Sequence, residues 1–155
     1  MTAVLKKYLM IFLVSMVPVA ELRGAIPMGI AQDLKPALVW LVCVIGNMIP
    51  VPFIMLFIRA IFKWMKKHGG WMEKIVIKME HKAERGAEMF YKYELLGLFI
   101  LVAIPLPGTG AWTGALVAAM LRLRMKAAVP AIFFGVCVAG IAMLAISCGV
   151  SFVVS

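Results

Sequence analysis

The residues best equipped to do chemistry are Glu21 and Arg23, two positions apart inside a long apolar block, Tyr8 to Ala31. An ionised side chain at membrane depth costs roughly 2.5–3.5 kcal/mol on insertion scales. Two of them there must be paired, hydrated or functional. The flat guanidinium fork of Arg23 suits phosphate or carboxylate, so Arg23 is a candidate to hold an anionic head group. Glu21 is the candidate proton carrier, set between burial and the neighbouring guanidinium. The competing structural account is an internal ion pair, or an ionic tie between two halves of the chain, that only fixes the fold.

The second concentration is Pro105-Leu106-Pro107-Gly108-Thr109-Gly110, in the uncharged block Leu95 to Leu121. Pro105 and Pro107 remove backbone donors, and Gly108 and Gly110 permit backbone that other residues resist. Backbone N–H groups at the two glycines can approach a ligand. Thr109 can cap a helix that begins near Ala111, whose N-terminus favours an anion. Gly24 and Pro27 are expected to do the same in the first block. The candidate substrate-binding set is therefore Glu21, Arg23, Gly24, Pro27, Pro105, Pro107, Gly108, Thr109 and Gly110. A plain helix kink is the bland alternative. Asn47, alone in an apolar block, is expected to bond across helices. Cys43, Cys137 and Cys148 read as packing residues, and His68 and His81 as solvated. With no metal-ligand spacing, nucleophile triad or P-loop, neither an enzyme, a cofactor nor a metal is expected.

These groups need elements to carry them, and composition says of what kind. Of 155 residues, 65% are hydrophobic and 15% charged. A typical soluble domain is roughly 45–50% apolar and about 25% charged. A soluble chain of this size would expose a large apolar surface. The expected class is an all-α polytopic membrane protein, which sets aside a soluble enzyme, a nucleic-acid module and a disordered chain. Pro36–Ile58 and Ala127–Ser155 are uncharged and long enough for a bilayer core of ~30 Å. The other two blocks are interrupted, at Glu21–Gly29 and at Pro105–Gly110. Broken backbone at membrane depth persists only inside protein or beside a wet cavity, which favours re-entrant helical hairpins.

Leu22-x-Gly24 matches Leu106-x-Gly108. Each is followed by a short apolar arm, a charged cluster (Asp33/Lys35; Arg122/Arg124/Lys126) and an unbroken span. The expected plan is one membrane domain of two inverted repeats, residues 1–58 and 95–155, each a re-entrant hairpin plus one transmembrane helix. A cytoplasmic amphipathic linker, 59–94, joins them. Paired Gly/Pro-interrupted segments in two halves mark a transporter site. In the linker, Met72, Ile75, Val76, Met79, Ala83, Ala87 and Phe90 recur at helical spacing, with Glu88 and Lys92 as an i,i+4 pair. Trp64, Trp71, Lys63, Lys66 and Lys67 suit a membrane surface.

Lys and Arg number 16 against 7 acids, for a formal net charge of +9. With re-entrant hairpins, Arg59–Lys92 and Arg122–Lys126 share one face, and the positive-inside rule puts that face in the cytoplasm and both termini outside. With four full crossings the termini are cytoplasmic and Arg122–Lys126 is outside. Lys6-Lys7 and the apolar run after them resemble a signal peptide, but Pro18 occupies the small-residue position of a cleavage site, so the segment is read as mature protein.

At Glu21–Pro27 and at Pro105–Gly114 (PLPGTGAWTG) the chain resembles the small multidrug export protein family, a compact relative of the DedA membrane proteins. The resemblance implies two re-entrant loops and two flanking spans related by a pseudo-two-fold, in the plasma membrane of a prokaryote. It also implies an association with lipid transport, including polyprenyl-phosphate recycling, and maps the family's acidic and arginine loop residues onto Glu21 and Arg23. The second loop departs from that pattern in having neither. The expected function is a transporter or flippase of an amphiphile with an anionic head group, with protons as the candidate coupling ion. The alternatives are a proton-coupled exporter of hydrophobic cations and a membrane-organising protein. The expected partners are membrane lipid, that anionic amphiphile and a second copy in a homodimer, with no nucleic acid.

Overall fold

In the computed structural model the described residues are 2–67, 69–71, 73–75, 77–78, 87–106 and 108–154. Seven helices organise the described residues: α1 Thr2–Met16, α2 Glu21–Ile30, α3 Pro36–Met48, α4 Pro50–Lys67, α5 Ala87–Ala103, α6 Ala111–Met120 and α7 Met125–Val154. No strand occurs among the described residues. Only a bend at Ile49 separates α3 from α4, so Pro36–Lys67 is one span of 32 residues. Met125–Val153 is the other, and both are long and apolar enough to cross a membrane. The first span runs nine residues beyond Ile58, into the stretch expected to be linker.

The first interruption lies earlier than the composition suggests. Val17–Ala20, with Pro18 inside it, forms the break, and α2 then runs straight through Gly24, Pro27 and Gly29. Pro27 removes one N–H from a helix of ten residues, and the rest of the helix persists around it. Glu21 marks the change of direction with a left-handed φ of 47°. The second interruption lies where expected, with 104–106 and 108–110 outside the helices. Leu22 and Gly24 are thus helical while Leu106 and Gly108 are in a loop, and the sequence match between them is not a structural equivalence.

A different correspondence holds. Each ten-residue helix ends in the same turn. Leu34 N–H donates to Gly29 O (3.2 Å) and Asp33 N–H to Ile30 O (3.0 Å); Leu123 N–H donates to Ala118 O (2.9 Å) and Arg122 N–H to Ala119 O (3.1 Å). Asp33 and Arg122 take the left-handed position, with φ 59° and 55°. Leu34 and Leu123, which follow, are both buried. This is the double hydrogen-bond pattern of a Schellman cap with its apolar contact.

Packing is crosswise. Helix α2 lies against α1, α3 and α7, and α6 against α4, α5 and α7. The core runs through Ile11, Leu22, Ile26, Val39, Met55, Val102, Ile132 and Val136. Small residues allow close approach of backbones. A Cβ at Gly46 would overlap the Ser15 hydroxyl and lie 2.8 Å from Phe12 O, and one at Gly135 would lie 2.8 Å from Val102 Cβ and 3.0 Å from Phe99 O. Trp40 Nε1 donates to Cys137 O (3.3 Å), joining α3 to α7. Asn47 is fully buried, but its amide has no partner among the described residues, contrary to the cross-helix bond expected of it.

The surface-helix expectation is met only in fragments. Residues 71, 73–75 and 77–78 are helical, and Trp71 and Ile75 are exposed. Met72, Val76, Met79, Ala83, His68 and His81 lie outside the described residues, as do the side chains of Ala87, Phe90, Glu88 and Lys92.

Candidate functional site

The N-termini of the two short helices meet. A side-chain carboxylate from one half caps the helix of the other: Trp112 N–H, in the first turn of α6, donates to Glu21 Oε1 (3.2 Å). That first-turn donor is normally satisfied by the side chain of the residue just before the helix. Gly110 holds that place and has no side chain to offer. A Cβ there would overlap the Glu21 carboxylate, 2.6 Å from its carboxyl carbon, so any larger residue must displace that side chain. Thr109, expected to cap α6, is turned the other way.

Arg23 reaches across as well. Its Nη2 donates to Ile104 O and to Thr109 Oγ1, each 3.0 Å, and its Nη1 donates to Leu106 O. Thr109 Oγ1 lies 2.9 Å from Ile104 O and 3.0 Å from Leu106 O, so its one proton serves one of them. The chain leaves the helix here, and these carbonyls accept from loop N–H groups instead, Ile104 O from Leu106 N–H (2.8 Å) and Leu106 O from Thr109 N–H (3.3 Å). The guanidinium adds further donors to both. Thr113 Oγ1 donates to Gly108 O (2.8 Å), and Gly108 has φ 84°, backbone that glycine adopts freely. Glu21 and Arg23 therefore make separate contacts with the second half, with no salt bridge between them among the described residues.

Around these contacts lies a half-open cleft of ≈630 Å³. Glu21, Arg23, Gly24, Pro105, Gly108 and Thr109 line it, together with Pro18, Val19, Ala20, Thr113 and Met143. Gly110 is buried behind the Glu21 carboxylate. Pro27 sits farther along α2 and is not among the lining residues. Pro107 lies outside the described residues. Sequence reasoning missed Trp112, whose indole N–H also donates to Met16 O (3.0 Å) at the end of α1. Its signal was an aromatic donor two residues past a glycine-rich break.

At the two ends of the molecule the contacts sort the basic residues. Lys7 Nζ donates to Gln32 O (3.1 Å) at one end. At the other, Arg59 Nη2 donates to Leu123 O, so Arg59 and the 121–124 turn lie side by side.

Comparison with known families matches residues 21–142 to the family described as "Putative small multi-drug export protein". The chain belongs to this family. The match begins at Glu21 and takes in both short helices and the whole lining contributed by α6 and its loop. Neither the curated proteins nor the solved structures compared give a match. Membership of the small multi-drug export family and the two long apolar spans make this a membrane protein.

Proposed function

We propose that this chain is a multi-pass transporter of the prokaryotic plasma membrane that moves an amphiphile with its head group in the Glu21–Arg23 cleft. The observation that carries this is that both charged groups of the cleft come from the first half and are bonded only to the second. Any ligand that engages either one acts on the joint between halves. In this reading α1–α2 and α5–α6 are re-entrant hairpins, and α3–α4 and α7 are the crossing spans of two inverted repeats. Two features support it. The α2–α3 and α6–α7 turns share one hydrogen-bond pattern. Arg59 also lies beside Leu123, whereas four full crossings would put those two segments on opposite faces. Two helices of ten residues reach about 15 Å each, so N-termini that meet do so near the middle of a ~30 Å core. Alternating access then comes from rocking one repeat against the other.

The head group is anionic in this proposal. Arg23 has five N–H groups and three engage protein oxygens, which leaves one on Nη1 and the one on Nε for a phosphate or carboxylate oxygen. Liposomes reconstituted with the protein and a labelled polyprenyl phosphate test it. Transport by the wild type that is lost in Arg23→Ala is the expected result. No transport, or equal transport by the variant, overturns it.

A second reading is export of a hydrophobic cation in exchange for a proton on Glu21. The family description favours it, as does the engagement of most guanidinium donors by loop oxygens. Cation-dye efflux lost in Glu21→Gln and kept in Arg23→Ala would establish it over the first.

A further inference from the structure

We infer that a second, separate site at the Arg59 end of the molecule binds the phosphate group of an anionic membrane lipid. Arg59, Phe62, Lys63 and Lys66 recur at the spacing that puts them on one face of α4. Arg122 approaches from the α6–α7 turn, and the five residues enclose a cavity of ≈400 Å³. Four of the five are cations, and no carboxylate is among the lining residues. An anion in that space is attracted by the basic residues around it. Arg59 adds a more specific sign. Its Nη2 is fixed on Leu123 O, and its Nε is buried with no partner among the described residues. A buried guanidinium N–H without an acceptor is costly, and a phosphate oxygen that drew the Arg59 side chain toward the cavity would supply one.

The surroundings indicate a lipid as the source of that phosphate. On the basic face of α4 Leu56 is exposed three residues before Arg59, and Leu121 is exposed beside Arg122, whereas the exposed Phe53, Phe57, Ile61 and Trp64 lie on the opposite face. A phosphodiester in the cavity would place its acyl chains along Leu56 and Leu121, with Trp64 at head-group level on the far side of the helix. Basic pockets between spans on the positive face are a recurrent setting for such head groups. The pocket joins α4 to the turn that leads into α7, so the bound lipid would brace the two halves at a point remote from Glu21.

Native mass spectrometry from a neutral detergent tests this with two lipids, phosphatidylglycerol and phosphatidylcholine. Expected are retention of phosphatidylglycerol in preference to phosphatidylcholine and affinity about five-fold weaker in Lys63→Gln, the factor that corresponds to about 1 kcal/mol per basic residue at a membrane surface. Lys63 is exposed, so this variant leaves the Arg59–Leu123 bond and the fold alone. Arg59→Gln should weaken retention further. Equal retention of the two lipids, or retention unchanged in Lys63→Gln, overturns the inference. Inorganic phosphate and pyrophosphate are the second arm. Binding of either in the absence of lipid retention would assign the cavity to a soluble phosphate and overturn the lipid assignment. Lipid transport in liposomes is not the readout, so failure here leaves the Glu21–Arg23 proposal standing, and the reverse is also true.

Discussion

Glycine at position 110 is where side-chain size and charge meet most closely. A methyl group there would occupy the place of the Glu21 carboxylate. Gly110→Ala should therefore lower stability by about 1–3 kcal/mol, as overpacking commonly does. Glu21→Ala alone removes the acceptor for Trp112 N–H and should also destabilise. The double variant should be more stable than the sum of the two predicts, because the clash is gone. Thermal unfolding of all four proteins in one detergent measures that coupling, and strict additivity would show that the two residues do not meet. At Arg23 the shape of the group matters more than its charge. A lysine ammonium cannot span Ile104 O, Leu106 O and Thr109 Oγ1 as a fork does. Arg23→Lys should fall close to Arg23→Ala in liposome transport and lose about 1–3 kcal/mol of stability. Wild-type behaviour in the lysine variant would mean that the charge alone suffices.

Among the helices, close approach depends on positions where no side chain intervenes. Gly46 faces α1 at Phe12 and Ser15, and Gly135 faces α5 at Phe99 and Val102. Alanine at either should force the first arm of its hairpin away from the long span and cost about 1–3 kcal/mol. Gly97→Ala is a control, since a Cβ there meets nothing within 4 Å. Equal loss in all three variants, read by unfolding in detergent, would remove the helix contacts as the cause. Much of this layer was legible beforehand. The long spans show as uncharged runs, and α6 starts at Ala111 as the glycine-rich break implies. The first break was misplaced because Gly24, Pro27 and Gly29 look like helix breakers. Tertiary packing of Leu22, Ala25 and Ile26 holds the helix through them. The Glu21–Trp112 contact was not legible at all. It joins residues 91 positions apart, and no local pattern reports such a pairing.

For the molecule as a whole, the decisive quantity is which basic segments share a side of the membrane. Single cysteines at Lys6, Lys126 and Ser155, in a chain with Cys43, Cys137 and Cys148 replaced, can be probed with an impermeant thiol reagent on intact cells. Labelling at Lys6 and Ser155 with protection at Lys126 is expected. Labelling at Lys126 with protection of both termini would restore four full crossings and separate Arg59 from Leu123, against the bond that joins them.

Working as the proposed carrier, the protein would spend most of its life idle and must not leak while it is. A vacant polar hole at mid-membrane would let water chains and ions slip through and run down the cell's gradients. Here the gap between the two short helices is stoppered by the protein's own acid, and the loop beside it by the protein's own base. Cargo in the adjoining cleft would act on these same two groups, which ties opening to loading without a separate gate.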